Sequence, residues 1–408
     1  MKTFSQIKNA FIWKFILFAL APCSIVFIKY IKRRETMKKL LTLVLTLSFV
    51  LLLGACDTND NIKLGVIGPL TGDYSMYGVA VANGAKLAAA EINADGGVLG
   101  RDFEVIAYDS KGDPTEGVNA YNRLVDKDGI DALIGGTFSG VTLAIKELAI
   151  ADNLPVLTPT ATNPTVTLDA PNVFRACYTD SYQGTVAAVF SKNNLEATNA
   201  AVLYNSGDAY SEGLAEAFVA EFTAGGGTVT EYTFSASDDD FSAVLANIAA
   251  SAAEVVFLPA YVAEVGAILT QADAAGMNIP FVGGDGWDGL EADYAAVAEG
   301  MYFGNHYAKS DTAQVVVDFV ANYTEEYGEA PNALAALAYD AVYAMAEAME
   351  NAGTTDATEL IAALTDLDFQ NAVTGSIKFD ENGDPIKAIT IIQIVNGEHV
   401  VVDKVEGN

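Results

Sequence analysis

The sequence predicts an α/β protein built on two parallel sheets, each covered by helices on both faces. Three observations predict it. Short apolar runs bounded by Gly, Pro or Asp recur along the chain. Ala-rich stretches of helix length separate most of them, and such alternation folds into parallel sheets. The alternating region covers roughly 350 residues, more than one comfortable core holds, so two sheet layers are expected.

The expected strands lie in IKLGVIG (62–68), DFEVIAYD (102–109), DALIGG (131–136), LPVLTP (154–159) and NAAVLYN (199–205). TVTEYTF (228–234), EVVFLPA (254–260), IPFVGGDG (279–286) and GMYFGNHY (300–307) continue the series. Helices are expected in 78–93, 116–127, 141–151 and 209–224 between them. The tail changes character. Two helical stretches, 312–327 and 332–351, precede antiparallel strands with turns at Asn382-Gly383 and Asn396-Gly397. Asp380, Asn382 and Asp384 alternate as in a calcium loop, but Gly383 is misplaced for one and no Glu closes it, so a plain turn is expected.

Charge and composition exclude several functions. Residues 1–55 hold nine Lys or Arg and one Glu; the remainder carries 13 basic and 52 acidic residues, a net charge of −39. That surface repels phosphate backbones, so no nucleic-acid partner is expected. Cys23, Cys56 and Cys177 form no disulfide framework or metal cluster, and His306 and His399 leave little for a zinc site. No phosphate loop of the GxxxxGK[ST] kind occurs. Thus neither cofactor nor metal is expected. A serine hydrolase needs Gly-x-Ser-x-Gly and a His partner. Ser139 lies in GTFSG, with Gly three residues before it, so catalysis is not expected.

Residues 37–55 have the layout of a secretory signal peptide, two lysines and then an apolar run. Leu53-Gly54-Ala55-Cys56 closely resembles a bacterial lipobox. By that resemblance Cys56 is lipidated and becomes the mature N-terminus, with residues 56–61 as a polar tether. Residues 1–36 contain a second apolar run, Phe11 to Ile28. A misassigned start is expected there, with translation beginning at Met37. The runner-up is a transmembrane helix.

From Ile62 to about Val402 the chain resembles the branched-chain amino-acid (Leu/Ile/Val) binding proteins. These are type I periplasmic solute-binding proteins that feed ABC importers. IGPLTGDYSMYG (67–78), AEINADGGVLGRDFEVIAYDSKGDP (90–114), LVDKDGIDALIGGTFSG (124–140), TPTATNP (158–164), AYSEGLAEAF (209–218) and FVGGDGW carry the resemblance, in register. It implies two Rossmann-like lobes joined by three hinge crossings, with a ligand cleft between them. One lobe would be 62–181 plus 309–384, the other 182–308 plus 385–408.

VLTPTATNP and IGGTFSGVT both continue from strand ends, where open parallel sheets bind ligands. The helix after Ser139 offers free N–H groups to an anion. By position in the resemblance, Ser139, Ala161 and Thr162 would hold a ligand carboxylate, Ala161 through its backbone. Thr158 and Thr160 are expected to satisfy turn backbone. Asp285 would pair with the ligand's ammonium, Tyr210 would add a phenol oxygen to the ammonium or the carboxylate side, and Tyr261 would line the second lobe. Tyr77, Phe138 and Trp287 are the expected side-chain wall, with Tyr307 a further candidate; an aromatic wall suits an apolar side chain. The resemblance thus implies a monomeric, lipid-anchored receptor that captures a free amino acid. It would deliver that ligand to the permease and ATPase subunits of an ABC importer. A sensory subunit, or a binder of amides or aromatic acids, is the alternative.

Overall fold

A computed structural model describes residues 61–407. The 1–36 extension, the 37–55 signal segment, Cys23 and Cys56 lie outside the described residues. Among the described residues no helix is long and apolar enough to cross a membrane.

The first sheet holds β1 (Ile62–Gly68), β2 (Phe103–Asp109), β3 (Ala132–Gly135), β4 (Val156–Thr158) and β5 (Val173–Arg175), ordered β2-β1-β3-β4-β5. All of its pairings are parallel. Strands β1, β3 and β4 are buried almost throughout, as the continuous Val/Ile/Leu runs require of a sheet covered on both faces. Helix α1 (Ser75–Ala94) returns from β1 to β2. The Asn93 side chain pins its end, donating to the Phe103 carbonyl at 2.9 Å and accepting the Phe103 N–H at 2.7 Å. Helix α2 (Pro114–Asn122) starts on Pro114 with Asp113 as its cap, accepting the Glu116 N–H at 2.9 Å. Helix α3 (Ser139–Ala151) leads from β3 to β4.

Past β5 the chain crosses to the second sheet through α4 (Asp180–Asn193), capped by the Thr179 hydroxyl. The second sheet begins with β6 (Asn199–Asn205), β7 (Thr228–Phe234), β8 (Val255–Phe257), β9 (Phe281–Gly283) and β10 (Tyr302–Asn305). Helices α5 (Ala209–Ala224), α6 (Ser242–Ala250), α7 (Val262–Ala274) and α8 (Leu290–Ala298) connect these parallel strands. The chain then crosses back. Helices α9 (Gln314–Tyr327), α10 (Ala333–Ala352) and α11 (Ala357–Thr365) follow, and α10 packs along α1. Gly84 permits that approach: a Cβ there would stand 2.1 Å from the Ala335 carbonyl oxygen. After the short β11 (Asp368–Phe369) and β12 (Ile377–Lys378), a third crossing returns to the second sheet. There β13 (Ile389–Val395) and β14 (Glu398–Val405) add antiparallel strands, completing the order β14-β13-β10-β9-β8-β6-β7.

Asn396 and Gly397, at φ 54° and 74°, close the β13–β14 hairpin as expected of that pair. The Asn382-Gly383 turn closes only a single bridge, Phe379 with Pro385. Strands β5 and β11 were not expected, and β12, expected to pair across the Asn382-Gly383 turn, pairs with β11 instead.

Candidate functional site

Each sheet has one place where successive strands diverge to opposite sides: between β1 and β3 in the first, between β6 and β8 in the second. Crevices form outside the strand carboxyl ends at such points. Tyr77, Phe138 and Ser139 follow β1 and β3; Tyr210, Tyr261 and Asp285 follow β6, β8 and β9. These six residues line one cavity with Thr137, Thr160, Gly286 and Leu334. Its volume is about 20 Å³, close to the ~10–15 Å³ one water needs. Admission of anything larger therefore requires the two walls to part.

Asp285 sits on the floor of this cavity, 8% exposed. Its Oδ1 accepts the Tyr210 hydroxyl at 2.9 Å and the Gln183 amide at 3.0 Å. Its Oδ2 lies 2.9 Å from His306 Nε2. Burial pushes the Asp285 carboxyl up, but the bonds from His306, Gln183 and Tyr210 outweigh it and hold the group below the usual carboxylate range. Burial also dominates at His306 and holds it below its ordinary value despite Asp285. At neutral pH the carboxylate is therefore ionised and its histidine partner neutral. Among the described residues no Lys or Arg pairs with Asp285. A full negative charge thus faces the cavity, held by neutral donors.

The opposite wall is built for an anion. Ser139 opens α3, whose first N–H groups have no helical partner. The Ser139 hydroxyl accepts the Asn163 N–H at 3.2 Å. Thr158 and Thr160 donate to the Gly136 and Thr137 carbonyls at 2.8 and 2.6 Å, tying the 158–164 loop to the β3 loop. Ala161 and Thr162 are buried behind this face and do not line the cavity. The Ala161 carbonyl accepts Arg175 Nη1 at 2.8 Å. Thr162 favours the charged form of Asp180, but burial wins there and pushes that carboxyl well above its usual range.

The side wall is aromatic. Phe138 and Tyr261 stack across the cleft with ring centroids 4.5 Å apart, and Tyr210 stacks on Tyr261 at 5.0 Å. Tyr74 and Tyr77 meet both Phe138 and Tyr261 edge-on. Trp287 lies elsewhere. It is fully buried, its indole N–H donates to the Leu258 carbonyl at 2.9 Å, and its ring covers Gly283. Tyr307 donates to the Pro331 carbonyl at 2.9 Å and lines a separate cavity of about 450 Å³ with Asp288, Glu291, Lys309 and His399. Neither histidine hydrogen-bonds Ser139 among the described residues, so no nucleophile–base pair forms there.

Sequence reasoning missed three participants. Gln183 and His306 reach Asp285 from 102 and 21 residues away, and no local motif marks them. Arg175, fully buried, bonds Ala161, Asn163, Thr167 and Asp384, and so holds the whole 161–167 loop. An arginine inside an otherwise apolar run was the only available signal.

Two α/β lobes that close over a cleft at the carboxyl ends of both sheets define a solute-binding protein. The chain belongs to the family described as "Periplasmic binding protein", whose model matches residues 61–398. It is an extracytoplasmic family that serves ABC transporters, not an enzyme family. The chain is 33% identical to "Leu/Ile/Val-binding protein homolog 3" of Brucella melitensis biotype 1, over 84% of this chain and 94% of that one. It is 34% identical to "Leu/Ile/Val-binding protein BraC3" of Rhizobium johnstonii, over 84% and 92%. Among solved structures, the leucine binding protein LivK of Thermotoga maritima superposes with TM-score 0.81 at 34% identity, over 85% of this chain and 99% of that one. LivJ of Streptococcus pneumoniae, in complex with isoleucine, gives TM-score 0.78 at 30% identity, over 84% and 100%.

Proposed function

We propose that this protein captures a free amino acid with an apolar side chain and presents it to an ABC permease. The observation that carries the reading is the cavity's polarity. Ionised Asp285 stands on one wall without a cation, and Ser139 opens a helix N-terminus on the other. An α-amino acid brings an ammonium and a carboxylate, one for each wall. A carboxylic acid lacking an amine would leave Asp285 buried and uncompensated, which is costly. The aromatic wall gives an apolar side chain its surface. Relatives named for Leu, Ile and Val support the same ligand class.

The open form would take the carboxylate on the first lobe, and closure would bring Asp285, Tyr210 and Tyr261 over the ammonium. Water exclusion then strengthens the charge contacts. We assign the lobes as 62–181 plus 309–384 and 182–308 plus 385–408, in accord with the two sheets. Lipid anchoring through Cys56 rests on the LGAC sequence. The test is thermal unfolding of the full chain, in mild detergent, against the twenty amino acids at about 1 mM. A ligand at 100 times its Kd adds about 2.7 kcal/mol, a shift of several degrees. Shifts confined to Leu, Ile, Val or a similar small set support the reading. A flat response to all twenty rejects it.

A further inference from the structure

His306 follows β10 directly, at the start of the second crossing, and Tyr178 stands in the first, just before α4. Their rings stack face to face, centroids 3.7 Å apart and planes 18° apart. This stack fixes the imidazole edge against Asp285, with Nε2 2.9 Å from Oδ2. Its Nδ1 is buried without a hydrogen-bond partner. The neutral ring must carry its proton on Nε2, because a lone pair there would face the carboxylate. Gln183 and Tyr210 occupy Oδ1 in the same way. Three neutral donors thus fix the carboxylate's rotation and cancel none of its charge. A second proton on His306 would sit on Nδ1, buried with no acceptor, and would put a cation beside Asp285 where the ligand's ammonium belongs.

We propose that His306 is the positioning residue of the ammonium site: neutral, it aims Asp285 at the ligand amine, and protonated, it neutralises Asp285 and releases the ligand. The inference rests on the amino-acid reading above and adds to it an acid-triggered loss of affinity.

The groups facing His306 are Asp285 and Asp288 from the loop after β9, Tyr178 from the first crossing, and Lys387 from the third. Burial and Lys387 oppose the imidazolium; Asp285 and Asp288 favour it; burial prevails. A bound ammonium opposes it further, so binding to the protonated form must expel a proton. Affinity therefore falls as pH drops below the free protein's His306 value, by up to about ten-fold per pH unit. His306 is held low, so the fall lies below the ordinary histidine value of about 6.5.

The experiment is titration calorimetry on the full chain in mild detergent, from pH 4.5 to 7.5. The probes are L-leucine, L-isoleucine, L-valine and 4-methylpentanoate, which is leucine without its amine. His306→Gln keeps a neutral donor at the Nε2 position. It should bind leucine within about three-fold of wild type at pH 7.5 and lose the acid dependence. His306→Phe keeps the stack on Tyr178 and loses the donor. It should lose at least ten-fold for leucine at pH 7.5 and little for 4-methylpentanoate. A His306→Gln profile as steep as wild type overturns the inference, and so does His306→Phe with undiminished leucine affinity. If His306→Phe does not fold, judged by its melt, the His306→Gln profile decides alone. Loss of leucine binding in Asp285→Asn with normal His306 variants sinks the inference while the amino-acid reading stands. Wild type that binds none of the three amino acids rejects both.

Discussion

The Tyr77 hydroxyl donates to the Gly286 carbonyl oxygen at 2.6 Å, although 209 residues separate the two. The Tyr77 phenol oxygen in turn accepts the Val262 N–H at 2.8 Å. One phenol on the first lobe therefore ties down two loops of the second. Tyr77→Phe keeps the ring and its contacts with Phe138 and Tyr261 but leaves a buried N–H and a carbonyl without that partner. At about 0.5–1.5 kcal/mol per bond, closure should weaken by about 1–3 kcal/mol. Small-angle scattering should give a larger radius of gyration for the free variant, and calorimetry a leucine affinity about 5- to 160-fold lower.

Asp285→Ala removes the charge that balances the ligand ammonium and leaves Tyr210 and Gln183 without their acceptor. Leucine affinity should fall at least about ten-fold. Unchanged affinity by calorimetry would take Asp285 out of the site.

Arg175→Met tests the loop scaffold. The arginine is fully buried and its Nε lies 2.5 Å from Asp384 Oδ1. Replacement takes the cation from Asp384, which keeps the Thr167 hydroxyl, and strands the carbonyls of Ala161 and Asn163. Breaking such a buried pair costs about 3–5 kcal/mol, which denaturant unfolding should read as a lower midpoint. Leucine affinity should fall as well, because the loop behind Ser139 loses its support.

Lys387 gives a pH prediction at the alkaline end. Burial holds its amine down at about 8 against the ordinary 10.5, while its Nζ donates to the Thr374 hydroxyl at 2.5 Å. Between those values the unfolded chain binds more protons than the folded one, so this group's contribution makes stability rise with pH from about 8 to about 10.5. Below 8 the amine is charged in both states and the burial cost stands in full. The stability of wild type relative to Lys387→Met should therefore climb from pH 8 to pH 10. A flat difference would show that the amine titrates normally.

Much of this was legible in the sequence because parallel strands buried on both faces leave an unmistakable apolar signature. Strands β1, β3, β6, β8 and β9 each fall within an expected run. Strand β5 escaped because Val173–Arg175 is three residues long and ends in a charge. The cleft loops were marked in the sequence because Asp285 stands between Gly284 and Gly286 at a strand end and Ser139 opens a helix just past another. Trp287 could not be placed: adjacency to Asp285 does not fix its direction, and the short helical turn Asp285–Trp287 sends the indole under β9 instead. Gln183 and His306 were beyond reach for a different reason. They meet Asp285 only once α4 and the ends of β9 and β10 have assembled in the second sheet, and no spacing encodes that.

On the amino-acid reading, the stack of Phe138 on Tyr261 is a rival to the ligand's side chain. The rings satisfy each other in the space such a side chain would need, leaving about 20 Å³. A ligand must outbid this internal occupant, whose effective concentration no dilution lowers. The measured affinity is then the intrinsic one reduced by the fraction of molecules held shut on themselves. Trimming Phe138 would act on both sides of that contest, removing a contact from the loaded state and a rival from the empty one.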